Sequence, residues 1–336
     1  MDLIRGGKGS SDKSVPGKTA HDSTVHGKAV HDRSAYGNGA HDRSACRNVI
    51  IEARRLRHAY RSGREALQGV DVTIGAGEMI ALIGRNGAGK TTLTKHCNGI
   101  LKPTAGTVLV AGQDTRNVPV ARLARTVGYV FQNPDHMLFH ETLFDEVAFG
   151  PRNLGMTGAD VTARVEAALS AVGLAGFRDS DPAFLSRGQR KRAALAAVLA
   201  METPVLIVDE PTGGQDYREA RQIMAILQQL NRRGHTVLFI THDMDLVHEY
   251  AHRVLLLNDG RITLDAPPAE LFRHEAALQA AGLRLPLAAA LGRRLAPFGV
   301  SPSVDSVDAL AAAVARLARG CAGGQEAMAG RAAACQ

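Results

Sequence analysis

The chain has 336 residues, 45% of them hydrophobic and 22% charged, with a formal net charge of +7, which is ample for a buried core without disulfide staples. No run approaches the roughly 20 apolar residues that span a bilayer and the N-terminus lacks the apolar stretch of a signal peptide, so neither a membrane-spanning nor an exported protein is expected. The basic residues are scattered, with no stripe interleaved with aromatics, which argues against a nucleic-acid partner.

Cys46, Cys97, Cys321 and Cys335 form no CxxC pair and no zinc-type spacing, and a reduced, cytoplasmic setting is expected. Residues 1–47 carry a ten-residue repeat, VHGKAVHDRS and AYGNGAHDRS, after a looser copy, VPGKTAHDST. This stretch is rich in Gly, Ser and His, and it cannot bury enough apolar surface to offset its ordering entropy. A disordered tail is the expectation. The recurring His21-Asp22, His31-Asp32 and His41-Asp42 pairs are spaced too widely to preorganise a metal site. A chain starting at Asn48 is therefore expected to keep its fold and activity, measured by circular dichroism and by rate; aggregation of the shortened chain would contradict the reading.

From Asn48 onward strands alternate with helices, the pattern of an α/β sheet. Strands are predicted at Val49–Glu52, Val70–Ile74, Met79–Ile83, Thr107–Val110, Val127–Phe131, Val205–Val208, Thr236–Ile240 and Arg253–Leu257. Several are continuous apolar runs, as strands buried on both faces should be. Helical periodicity marks Asp160–Val172, Gly188–Met201, Tyr217–Arg233 and Met244–Tyr250. The main domain is placed at residues 48–270, with a strand-free helical insert over about 133–186. Residues 271–336 form a C-terminal helical extension, broken near Gly282, Pro286 and Pro302, with its last residues expected to be disordered.

The strongest chemical signal is GRNGAGKTT, comprising Gly84, Arg85, Asn86, Gly87, Ala88, Gly89, Lys90, Thr91 and Thr92, which follows the apolar strand MIALI and opens a helical run. That context defines a phosphate-binding P-loop. Its glycines let backbone N–H groups curl around phosphates, Lys90 reaches the β/γ oxygens, and the Thr91 hydroxyl ligates Mg²⁺. Downstream, VLIVDEPTGGQD ends a buried strand in Asp209 and Glu210, at the edge where α/β sheets bind ligands. Asp209 is assigned to Mg²⁺ through its water shell and Glu210 to the attacking water, which it orients or deprotonates. ATP and Mg²⁺ are the implied cofactors.

Between these motifs lies LSRGQRKR, Leu185–Arg192, which resembles the LSGGQ signature of the ABC ATPase family. Further matches follow in family order: Tyr60 as the adenine-stacking aromatic, Gln132 in VFQNPD as the Q-loop residue, Asp216 in the D-loop and His242 in FITHD as the switch histidine. The resemblance implies a P-loop NTPase fold with a RecA-like core, an antiparallel β subdomain, a helical subdomain and the C-terminal extension. It also implies a dimer in which Ser186 and the Gly188 N–H, with Gln189 beside them, cap the γ-phosphate held by the partner's P-loop. His242 would then contact that phosphate, and Gln132 would sense Mg²⁺ and relay nucleotide state into the helical insert. Arg187 stands where the common signature has glycine, which places the packing around the signature in doubt rather than its chemistry.

FQNPDHMLFHETLFDEVAFGPRNLG, DEPTGGQD and the C-terminal GLRLPLAAALGRRLAPFGV are similar to segments of energy-coupling factor ATPases, which power cobalt, nickel and vitamin importers. The resemblance covers about residues 48–317. It implies integral-membrane transporter subunits and a second ABC ATPase as partners, and a peripheral position on the cytoplasmic face of the cell membrane. The alternatives are an ATPase of another ABC transporter class or a soluble ABC ATPase. The apolar Met137, Leu138, Phe139 and Phe144 lack strict core periodicity and are expected to line a groove for the membrane partner.

Overall fold

The computed structural model describes residues 48–302, 304 and 306–319, so the expected tail at 1–47 and the last residues of the chain lie outside the described residues. Two sheets organise the rest. An antiparallel sheet has the order β2-β1-β4-β5, formed by β1 (Val49–Ala59), β2 (Glu65–Gly75), β4 (Ala105–Val110) and β5 (Gln113–Asp114). The second has the order β10-β9-β3-β8-β7-β6, formed by β3 (Met79–Ile83), β6 (Val127–Val130), β7 (Val205–Asp209), β8 (Thr236–Ile240), β9 (Arg253–Asn258) and β10 (Arg261–Ala266). Its strands are parallel except β10, which pairs antiparallel to β9.

The period-2 geometry of strands divides the central apolar runs between two cores. Ile80 and Leu82, Val205 and Ile207, Leu238 and Ile240 face the core shared with the antiparallel sheet and with α1 (Lys90–Cys97). Met79, Ala81 and Ile83, Leu206 and Val208, Val237 and Phe239 face the other core. That second core is covered by α3 (Leu143–Asn153), α4 (Gly158–Ala171), α5 (Arg187–Leu199), α6 (Tyr217–Arg232) and α7 (Met244–Tyr250), the short α2 (Val120–Leu123) lying beyond it in the first core. Burial on both faces is why β3, β7 and β8 read as unbroken hydrophobic runs. No strand occurs between residues 133 and 186.

Two strands escape a sequence reading. In β10 exposed and half-buried residues alternate until Ala266, because it is the outer strand, and β5 is only two residues long. β1 runs past its predicted end and β2 begins before its predicted start because the polar residues of these stretches are interspersed with buried Leu56 and Leu67. After β10 come α8 (Pro268–Leu271), α9 (Glu275–Ala280), α10 (Leu287–Arg294) and a helix over residues 307–319. The predicted breaks fall between them: Gly282 adopts φ 65 and Pro286 caps α10. Val300, Val304 and Ala313 close a small core of this extension.

Candidate active site

The loop after β3 is pinned from both sides. Gly84 has φ 147, and a Cβ there would stand 2.1 Å from the Leu257 carbonyl oxygen; Gly89 has φ 108, and its Cβ would stand 2.5 Å from the Ala66 carbonyl oxygen. No other residue fits at either place. Lys90 is buried, and its Nζ donates to the carbonyls of Gly84 at 2.7 Å and Arg85 at 3.0 Å. Burial pushes its pKa down, against the pull of the Glu210 and Asp209 carboxylates. Thr91 Oγ1 donates to Asp209 Oδ2 at 2.9 Å, and Thr92 Oγ1 lies 2.9 Å from the Tyr60 hydroxyl.

β7 and β8 end beside this loop, with Asp209 in register with Ile240. Asp209 is only 3% exposed, and its Oδ2 also accepts from the Tyr129 hydroxyl at 3.4 Å. Glu210 takes φ 51, a left-handed conformation rare for a side-chain-bearing residue. Its N–H donates to the Ile240 carbonyl at 3.0 Å, and its Oε1 lies 3.0 Å from His242 Nδ1. A cavity of about 600 Å³ opens here, lined by Tyr60, Lys90, Thr91, Gln132, Asp209 and Glu210 among others. Asn86, Gly87, Gly89 and Thr92 also face it.

Other expected site residues stand away from that cavity's lining. The Arg85 side chain runs toward the C-terminal extension, its Cγ 3.4 Å from where a Gly282 Cβ would sit. Ala88 is buried in the loop. Ser186 caps α5 in a reciprocal box: its Oγ accepts from the Gln189 N–H at 3.2 Å, and its own N–H donates to Gln189 Oε1 at 2.8 Å. Asp216 caps α6, accepting from the Glu219 N–H at 2.8 Å. A Cβ on Gly188 would meet both Glu219 carboxylate oxygens at 2.7 Å, and one on Gly214 would meet Arg187 Cζ at 2.8 Å. Arg187 thus packs across the Gly214 turn, where glycine leaves it room.

Residues 67–213 match the family model described as ABC transporter. The energy-coupling factor transporter ATP-binding protein EcfA of Methanococcus maripaludis is 46% identical over 244 residues, which is 72% of this chain and 88% of that protein. The chain belongs to the ATP-binding proteins of ABC transporters. A putative ABC transporter ATP-binding protein of Caldanaerobacter subterraneus is 46% identical over 248 residues, 74% of this chain; the chain spans only 44% of that relative's length. Among solved structures, cbiO1 from Clostridium perfringens, described as part of the ABC transporter complex cbiONQ, superposes with a TM-score of 0.63. It is 36% identical, covering 71% of this chain and 96% of its own.

Within this ABC cassette, several residues of the site carry no signal in a linear reading. Ser62 and Arg64 line the cavity from the β1–β2 turn and Ala66 from the start of β2, and Arg64 Nη2 donates to the Gly87 carbonyl at 3.1 Å. The only local trace of them is the turn sequence RSGRE after Tyr60. Tyr129, between Thr94 at 3.0 Å and Asp209, has its hydroxyl pKa pushed up by burial and by the Asp209 charge. Lys191 lies in the basic run RGQRKR, which reads as a solvated surface, yet it is 3% exposed. Burial draws its pKa down to about 8, with Asp209 and Glu210 opposing the shift.

Proposed function

We propose that this chain is the ATP-hydrolysing subunit of an energy-coupling factor type importer, taking up a metal ion such as cobalt or nickel, or a vitamin. The observation that carries the reading is the convergence of Lys90, Thr91, Asp209 and Glu210 on one cavity beside Tyr60 and Gln132. Lys90 and the N–H groups of the loop hold the β- and γ-phosphates at the N-terminus of α1. Tyr60, 41% exposed at the cavity mouth, offers a face on which adenine stacks.

The donors fit Mg²⁺: the Thr91 hydroxyl and the Asp209 carboxylate are 2.9 Å apart, Gln132 lines the same wall, and all three offer hard oxygens. Bound there, Mg²⁺ would neutralise phosphate charge. Glu210 takes the proton of the attacking water, and His242, at 3.0 Å from its carboxylate, fixes the direction in which that carboxylate points. Ser186 and the Gly188 N–H lie outside the lining of their own chain's cavity, which supports a role on the nucleotide of a second ATPase subunit. The working unit is accordingly a dimer, of two copies or of this chain with a sister ATPase.

No helix among the described residues is long and apolar enough to cross a membrane. The reading includes integral-membrane partner subunits, with this chain docked peripherally on the cytoplasmic face of the cell membrane. The site reading is checked by phosphate release and by binding of a fluorescent ATP analogue. Wild type is expected to bind and hydrolyse, and Lys90→Ala to lose binding; a Lys90→Ala protein with wild-type affinity would remove the P-loop from the mechanism.

A further inference from the structure

α5 begins at Arg187, after its Ser186 cap, and passes its fifth residue, Lys191, under the ends of β6 and β7. The ammonium meets three backbone carbonyls there, those of Gln132 at 2.8 Å, Asp209 at 3.3 Å and Phe131 at 3.4 Å. Three acceptors match the three N–H donors of an ammonium. A buried charge is costly unless it is well satisfied, and an apolar side chain of the same length would fill the space without that cost. The neighbours Ala193, Ala194 and Leu195 are buried and apolar. A lysine at this place therefore calls for a reason beyond filling the core.

The three carbonyls supply one. The Asp209 carbonyl belongs to the peptide that leads into Glu210, and the N–H of that same peptide donates to the Ile240 carbonyl at 3.0 Å. Lys191 and β8 thus hold one peptide plane from its two ends. Glu210 sits immediately beyond at φ 51, a strained conformation that persists only where its surroundings over-determine it. The other two carbonyls bracket the start of the loop at Gln132. We propose that Lys191 is a positioning residue: a pin on the signature helix whose ammonium sets the backbone of both Gln132 and Glu210, so that movement of α5 is transmitted to both at once.

This inference rests on the reading of Glu210 and Gln132 as working residues of the ATPase site. Its test compares Lys191→Met, which keeps the side-chain length and removes the donors, with wild type and with Glu210→Gln. Two readouts are taken, steady-state hydrolysis and hydrogen–deuterium exchange of the nucleotide-free protein. Misplacing catalytic groups by an ångström costs up to about 100-fold, so kcat is expected to fall about 10- to 100-fold, with KM for ATP within about threefold of wild type. Exchange is expected to quicken at residues 131–133 and at the amides of Glu210 and Thr212 while β7 and the body of α5 stay protected.

Wild-type kcat with unchanged exchange overturns the proposal. So does exchange that rises throughout the chain while kcat falls only with the folded fraction, because that is plain destabilisation. A fall in kcat without any change at the two segments also overturns it, since charge rather than position would then be acting. If Lys191→Met does not fold, Lys191→Arg decides: its planar head cannot meet three carbonyls converging on one point, so the same local exchange and a lower kcat are expected, and wild-type behaviour refutes the pin. Glu210→Gln separates the two readings. Undiminished hydrolysis in that variant sinks the site assignment, whereas the exchange of the two segments still judges Lys191.

Discussion

Replacing Glu210 by glutamine is expected to lower ATP turnover by about 100- to 10,000-fold, the usual cost of losing a general base, while nucleotide binding survives. The amide keeps the shape of the carboxylate and its reach to His242, 3.0 Å away, but not its basicity. The left-handed backbone at Glu210 is unaltered, since both side chains impose the same demand on φ. ATP held between the P-loop of one subunit and Ser186 and Gly188 of the other would no longer be cleared, so the dimer should accumulate. Size-exclusion chromatography with MgATP, run beside phosphate release and with Lys90→Ala as the variant that cannot bind, reads both effects. Hydrolysis near the wild-type rate would show that the water is activated elsewhere, with His242 the first alternative. A variant that neither hydrolyses nor dimerises would point to a need for the membrane partners in forming the dimer.

What the sequence made legible is what is contiguous. The P-loop and the Asp209–Glu210 pair each occupy one strand end, so a strand, a turn and a few side chains in a row announce them. Central strands were readable for a related reason, because burial on both faces removes every polar interruption. Ser62 and Arg64 reach the same cavity only through pairing of β1 with β2, and no local pattern encodes that approach. Lys191 shows the limit from the other side: in RGQRKR it is indistinguishable from the arginines around it, and only the packing of α5 against the loop at Gln132 makes it the buried one.

The apolar segment after Gln132 shows how far periodicity alone misleads. Met137, Leu138 and Phe144, expected to line an open groove, are partly buried and packed against the core, and the Phe144 ring lies under the Arg178 guanidinium at 4.2 Å. Of the four residues named, Phe139 alone is exposed, at 65%. It meets Phe149, 45% exposed, in an edge-on contact with ring centroids 5.1 Å apart. The backbone that carries Phe139 is tied to α3, because the buried Glu146 carboxylate accepts the N–H groups of Phe139 at 2.7 Å and His140 at 2.9 Å.

An exposed aromatic pair at the start of the helical insert that follows Gln132 is expected to serve as a docking anchor for the membrane subunits. Phe139 and Phe149 are 65% and 45% exposed, so covering both adds the burial of roughly one whole phenylalanine, about 1.5–3 kcal/mol, and exchanging both for aspartate is expected to weaken assembly by about 10- to 100-fold. Phe139→Asp with Phe149→Asp should leave binding of the fluorescent ATP analogue at the wild-type level while the tagged chain no longer sediments with membranes of its own organism. Phe144→Asp is the instructive comparison, since it removes core packing and the Arg178 contact and is expected to lower the melting temperature as well. Normal sedimentation of the double variant would move the docking surface elsewhere on the helical insert. Loss of nucleotide binding along with sedimentation would mean instead that the aromatic pair supports the fold around Gln132 and not the partner.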